Sequence, residues 1–84
     1  MKDNYRILAG VKLGPGAVIE DYCLIGVPPR GKSEGECETT IGKSAVIRSH
    51  TVIYAGNRIG DNFQTGNKVN IRELNQIGND VSIG

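Results

Sequence analysis

An isoleucine or leucine returns every sixth residue along most of this chain, and that period constrains the fold more than any other feature. Written in hexads, the sequence runs ILAGVK, LGPGAV, IEDYCL and IG from Ile7 to Gly26. It resumes at Ile41 as IGKSAV, IRSHTV, IYAGNR, IGDNFQ, TGNKVN, IRELNQ, IGNDVS and IG. All ten isoleucines fall on the first position, and of twelve first positions only Thr65 is neither Ile nor Leu. Glycine fills the second position at 14, 26, 42, 60, 66, 78 and 84. A helix repeats about every 3.6 residues and a strand about every 2, so a period of six belongs to neither alone.

Strand geometry resolves the period. Side chains two apart share a face, so Val11 with Leu13, Ala17 with Ile19 and Cys23 with Ile25 point one way. Lys12, Val18 and Leu24, which lie between them, point the other way. Position five is mostly small (Val11, Ala17, Cys23, Ala45, Thr51, Val69, Val81), which suits a tight corner. Position four holds Gly10, Gly16, Gly56, Asn62 and Asp80, residues that tolerate positive φ and therefore sharp turns. Each hexad is one short strand and one turn.

A second period appears at eighteen: Ile41, Ile59 and Ile77 align, each followed by glycine, as do Ala45, Phe63 and Val81. Three strands per coil imply a triangular prism with coils stacked at roughly 4.8 Å and the isoleucines inside. The fold class expected is therefore all-β, a parallel β-helix of about four coils. Asn57 and Asn75 fall in one column as a prospective asparagine ladder, and Tyr54 and Arg72 as a cation–π pair. An antiparallel sandwich, the alternative, calls for strands every 8–12 residues or so.

One segment breaks the period. Ile25 and Ile41 are 16 residues apart, not a multiple of six, so part of "GVPPRGKSEGECETT" (26–40) must leave the wall as an extruded loop. It is either a tolerated surface insertion or a flap beside a binding cleft. The last hexad stops at Ile83-Gly84, partway round a coil, with no capping helix. Residues 1–84 are thus expected to form a single β-helix domain that is the N-terminal part of a longer one, or whose end a partner covers.

Composition narrows the class further. With 84 residues and 5% aromatic content, one domain stabilised by aliphatic side chains is all the chain can build. A net charge of +1, with Lys and Arg scattered among Asp and Glu, argues against a nucleic-acid partner. No apolar run approaches the roughly 18–20 residues of a membrane span, and the start "MKDNYRILAGVK" lacks a signal peptide's apolar segment. A cytoplasmic location is the simplest expectation. Cys23 and Cys37 fit no metal pattern. Cys23 faces inward, and Cys37, between Glu36 and Glu38, is disfavoured as a thiolate.

The hexads resemble those of the left-handed parallel β-helix, or hexapeptide-repeat, acyltransferase family, from Ile7 to Gly84 apart from the loop. Left-handedness comes from the resemblance alone, since parallel crossovers are normally right-handed. Within the family, "IRSHTVIYAGNRIGDNFQTGNKVNIRE" is most similar to sugar and sugar-nucleotide acetyltransferases. The resemblance implies a homotrimer that binds acetyl-CoA as co-substrate between neighbouring prisms. It would move the acetyl group to an amine or hydroxyl of a sugar or nucleotide-sugar without a metal. A histidine would serve as general base, its pKa lying near neutrality.

His50 is the only histidine and so the only imidazole base on offer, although position four also tolerates His for conformational reasons alone. After the Thr65-Gly66 pair, where many relatives carry histidine, this chain has Asn67. An amide takes no proton at neutral pH, but it can orient an acceptor hydroxyl or polarise a thioester carbonyl. Lys68 and Arg72, with Arg58, are the candidates for coenzyme A phosphates. A single histidine excludes the three-histidine zinc site of a γ-class carbonic anhydrase, and no CxxC, HExxH or P-loop is present. The competing functional class is a non-catalytic β-helical trimerisation module, or the solenoid part of a larger sugar-nucleotide enzyme.

Overall fold

The computed structural model describes residues 4–84. Twelve short strands follow one another without a helix among the described residues. They are β1 (Arg6–Ile7), β2 (Val11–Leu13), β3 (Val18–Ile19), β4 (Leu24–Val27), β5 (Thr39–Ile41) and β6 (Val46–Ile47). Then come β7 (Val52–Tyr54), β8 (Arg58–Ile59), β9 (Gln64–Thr65), β10 (Asn70–Ile71), β11 (Gln76–Ile77) and β12 (Ser82–Ile83). The chain visits three four-stranded sheets in rotation. The first is β1-β4-β7-β10, the second β2-β5-β8-β11, the third β3-β6-β9-β12. Every pairing is parallel, which removes the antiparallel sandwich. One pass through the three sheets is a circuit, and its turns form three corners: first to second sheet, second to third, third back to first.

The register carries the hexad arithmetic into space. Thr40 pairs Arg58, Val46 pairs Gln64 and Val52 pairs Asn70, each 18 residues apart. Across the insertion, Val11 pairs Thr39, Val18 pairs Val46 and Leu24 pairs Val52, each 28 apart. The surplus of ten is the extruded loop. It is shorter than the interrupted segment 26–40: β4 runs on to Val27, paired with Tyr54 after a bulge, and the ladder resumes at Thr39. The loop is ordered by two successive four-residue turns. The Lys32 N–H donates to the Pro29 carbonyl and the Glu36 N–H to that of Ser33, both at 3.0 Å. Gly31 (φ 88°) and Gly35 (φ 85°) supply the third residue of each, where positive φ is required. Glu34 accepts from the Ala9 N–H at 3.0 Å and Glu38 pairs with Lys12 at 2.9 Å, which ties the loop to the first circuit.

The first-position column is the core. Ile25, Ile41, Ile47 and Ile53 are essentially inaccessible, with Cys23, Ala45 and Phe63 from position five between them. Each buried isoleucine stabilises the fold by roughly 1.5–3 kcal/mol. The outward residues of the second sheet, Lys12, Thr40, Arg58 and Gln76, are exposed, as strand alternation requires.

Two turn positions carry the corners. All ten fourth-position residues have positive φ, between 58° and 87°. The sequence pattern identified five of them; Tyr22, Ser44, His50, Lys68 and Leu74 adopt the same conformation because the corner dictates it. At the second corner, a Cβ on Gly14 would lie 2.7 Å from the Gly42 carbonyl carbon, and one on Gly42 2.8 Å from that of Gly60. Only glycine lets these circuits stack. Beside this column, Asp61 Oδ1 caps the Lys43 N–H (3.0 Å) and Asn79 Oδ1 caps the Asp61 N–H (2.8 Å). Pro15 opens the column with no N–H to cap, and Lys43, one circuit on, offers no acceptor.

Asn57 and Asn75 do stack at the first corner, but their ladder runs through the backbone. Fully buried Asn57 donates to the carbonyls of Tyr54 (2.7 Å) and Arg72 (2.8 Å), and its Oδ1 accepts the Asn75 backbone N–H (2.9 Å). Asn75 Nδ2 donates to the Arg72 carbonyl as well, at 2.8 Å. The amides close the turns rather than one another. Leu74, on the same corner, is 74% exposed in a left-handed conformation. Leu74→Asn should therefore raise unfolding stability by about 0.5–1 kcal/mol, since a branched residue is penalised in that region and Asn is not. Urea denaturation checks the sign; a loss would mean that the leucine's contact over Gly56 outweighs the strain.

Candidate functional site

The third corner gathers the chemistry. Residues 20–23, 48–51 and 66–69 stack there in successive circuits, joined by the His50 N–H to the Asp21 carbonyl (3.2 Å) and the Lys68 N–H to the Ser49 carbonyl (3.0 Å). Tyr22, His50 and Lys68 form one column, all at the turn apex with φ of 58–65° and all exposed. The left-handed turn thrusts each side chain outward, which is how an imidazole reaches solvent from a wall of isoleucines. The Tyr22 and His50 rings lie 5.1 Å apart, tilted by 42°. Among the described residues no carboxylate hydrogen-bonds the imidazole. The tilted Tyr22 ring is its aromatic neighbour.

The neighbouring column is Asp21, Ser49 and Asn67. Asn67 Nδ2 donates to Ser49 Oγ at 2.8 Å, so the amide is fixed against the residue preceding His50, and among the described residues nothing hydrogen-bonds its Oδ1. In the third column, Glu20 holds Arg48 through a 2.9 Å ion pair and accepts the Ser49 N–H at 3.1 Å. The Arg48 hydrogen bond, reinforced by the Ser49 N–H, draws the Glu20 carboxyl below its ordinary value of 4.5, with slight burial opposing.

Beneath the surface, a polar pair explains the one break in the first-position column. Thr65 Oγ1 accepts the Arg48 N–H at 3.0 Å, and the Thr51 hydroxyl lies 3.4 Å away while donating to the Gly66 carbonyl at 3.2 Å. An isoleucine at 65 could make neither bond. Thr65 trades apolar volume for a hydrogen-bonded floor under Asn67. Cys23 lies below the same corner, fully buried, its thiol 3.1 Å from the Arg48 carbonyl. Burial raises its pKa, so it is packing and not a nucleophile.

His50, Asn67 and Lys68 therefore meet at one corner. Arg72 does not join them. It stands on the first corner, its guanidinium 4.5 Å over the Tyr54 ring, as the sequence spacing anticipated, with Nε on Glu73 at 3.0 Å. Arg58 lies on the second sheet. Tyr22, Ser49, Glu20 and the Thr51–Thr65 pair were not singled out by sequence reasoning. Tyr22 shares the fourth position with His50, but the ten-residue insertion hides the alignment until the ladder register is known.

Because the Glu20 carboxyl is lowered, the stability it lends is present above the ordinary carboxylate pKa and lost as pH falls through the folded value. Protonation would release both Arg48 and the Ser49 N–H. The stability difference between the wild type and Glu20→Gln should be full at pH 6–7 or so and shrink steadily below about pH 4.5. Denaturant midpoints across that range measure it; a difference independent of pH would remove the carboxylate from the account.

Among the described residues no group of three or more His, Cys, Asp or Glu is placed to hold a metal, and no helix is long and apolar enough to cross a membrane. Compared with protein-family models, curated proteins and solved structures, the chain matches none, and the corner must be understood from its own chemistry.

Proposed function

We propose that the chain is a left-handed parallel β-helix of four coils that works as an acetyl-CoA-dependent acetyltransferase on an amine or hydroxyl of a sugar-type acceptor, as a homotrimer. The observation that carries this reading is the exposed imidazole of His50, held at a corner with the Asn67 amide and the Lys68 ammonium in the next circuit. His50 takes the proton of the acceptor hydroxyl or amine as that atom attacks the thioester carbonyl. The tetrahedral intermediate collapses, the C–S bond breaks, and the imidazolium returns its proton to the leaving thiolate. Asn67, with Nδ2 committed to Ser49, presents Oδ1 to accept from a second O–H or N–H of the acceptor and orient it. Lys68 supplies positive charge for a phosphate group on either substrate. Arg72, turned onto Tyr54 and Glu73, would have to leave both to take part.

A second reading is a non-catalytic β-helical assembly module, and the Asn67–Ser49 bond favours it, because it uses the amide to join circuits. Native mass spectrometry with and without acetyl-CoA separates the two. A trimer that takes up as many as three ligands is expected. A trimer that takes none would overturn the transferase and leave the module; a monomer that takes none would overturn both.

A further inference from the structure

The second sheet carries a feature that the third corner does not use. Its outer face forms an open groove of about 470 Å³, next to the second corner, lined by Thr40, Arg58, Gln76 and Asn79 with Ile59, Ile77, Gly60 and Gly78. That volume is within the roughly 300–1,000 Å³ of small-molecule sites. Thr40 pairs Arg58, and Arg58 pairs Gln76, so three outward side chains stand in one row at strand spacing of roughly 4.8 Å. Asn79 closes the row at the corner. The glycines keep that corner low: a Cβ at Gly60 would run into the Asn79 side chain.

The groove is rich in donors without partners. Arg58 has no carboxylate within salt-bridge distance among the described residues, whereas Lys12, Arg48 and Arg72 are all paired. Asn79 commits Oδ1 to the Asp61 N–H, and its Nδ2 makes no hydrogen bond among the described residues. The side chains of Thr40 and Gln76 have no hydrogen-bond partner among the described residues. No acidic residue lines the groove; Asp61, next to Gly60, turns Oδ1 to the Lys43 N–H, and Glu38, whose carboxyl is lowered chiefly by Lys12 and further by the more distant Arg58 charge, is bonded to Lys12. One guanidinium fork, two amides and a hydroxyl on one face match the several acceptor oxygens of an oxyanion.

We propose that this groove of the second sheet is an oxyanion-binding site, centred on Arg58 and completed by Thr40, Gln76 and Asn79, which takes the phosphate or carboxylate of a small polar molecule. It does not rest on the transferase reading. The groove lies on the second sheet, whereas His50 stands where the third and first sheets meet, across the molecule.

Amide chemical shifts of the full chain, titrated with sodium phosphate or sodium acetate at constant ionic strength, test the site. Saturable shifts at Thr40, Gly60, Gly78 and Asn79 are expected, weakened about tenfold or more in Arg58→Gln. Arg58 is exposed and makes no ion pair among the described residues, so the variant's spectrum should be unchanged away from the groove and the neighbouring Glu38. Saturation by phosphate alone assigns a phosphate group, and saturation by acetate a carboxylate; either upholds the site. Linear shifts spread over Lys43 and Lys68, or equal binding by Arg58→Gln, would overturn it. Neither result depends on acetyl-CoA, so the site and the transferase reading stand or fall separately.

Discussion

Phe63→Ala is expected to lower the unfolding free energy by about 3–5 kcal/mol, the largest loss of any single side chain in this molecule. A domain of this length has in total roughly 4–12 kcal/mol, so the loss is at least about a quarter of the whole and at the low end of that range would unfold the chain without denaturant. Phe63 is the only phenylalanine and is fully buried. It fills position five of the third circuit at the second corner, in a column that elsewhere holds Ala17, Ala45 and Val81. The small neighbours matter because they cannot swing in to occupy the space. The backbone cannot close it either: Gly42 and Gly60 already stack at the limit of approach, and the Asp61 and Asn79 caps fix the spacing between circuits. A cavity that cannot collapse brings the full penalty. Urea denaturation followed by far-ultraviolet circular dichroism measures it. A loss under about 1 kcal/mol would show that the second corner is plastic and that the glycine column does not set circuit spacing. Phe63→Leu, which keeps most of the volume, should lose less than half as much.

That corner also shows why so much of the fold was legible. A hexad must put one large apolar residue inward and one permissive residue at the turn, and both demands are met in sequence by residue type. Ile41, Ile59 and Ile77 could be aligned by eye, and their strands do pair in register. Turn conformation was only half legible. Gly56 and Asn62 advertise positive φ, whereas Tyr22 and Leu74 have it imposed by the circuit, against their own preference. Asn57 and Asn75 were matched correctly, but strand spacing alone does not say whether an amide meets another amide or the backbone of the turn. The candidate site was the least legible part. His50 stood out as the only imidazole, yet Tyr22 is 28 residues away, and only the ladder shows that the loop's ten residues drop out of that separation. Lys68 and Arg72, both candidates for coenzyme A phosphates, lie only four residues apart, yet strand β10 separates them and puts them on different corners. The outer groove had no sequence signature as a set: Arg58 is a phosphate candidate on its own, but Thr40 and Gln76 read as ordinary solvated positions until stacking brings all three into one row.

The second large effect is on catalysis and concerns His50→Asn. If the imidazole is the general base, acetyl transfer should fall by about 10²–10⁴-fold, the span for loss of a positioned proton acceptor. Asparagine is chosen because it isolates the chemistry. His50 sits at φ 63°, where alanine would add backbone strain and confuse a folding defect with a catalytic one. Asn is among the residues most at ease there, and Asn62 already occupies the equivalent turn at φ 60°. The exposed ring has only the Tyr22 face to lose, 5.1 Å away. Thermal stability should therefore change by less than about 0.5 kcal/mol, as for other exposed sites. The split between the two readouts is the test: rate lost and stability kept assigns His50 to the reaction. Rate and stability both kept would mean that the histidine is a turn residue. In that case the third corner would be a join between circuits, with Asn67 and Ser49 serving the wall rather than a substrate.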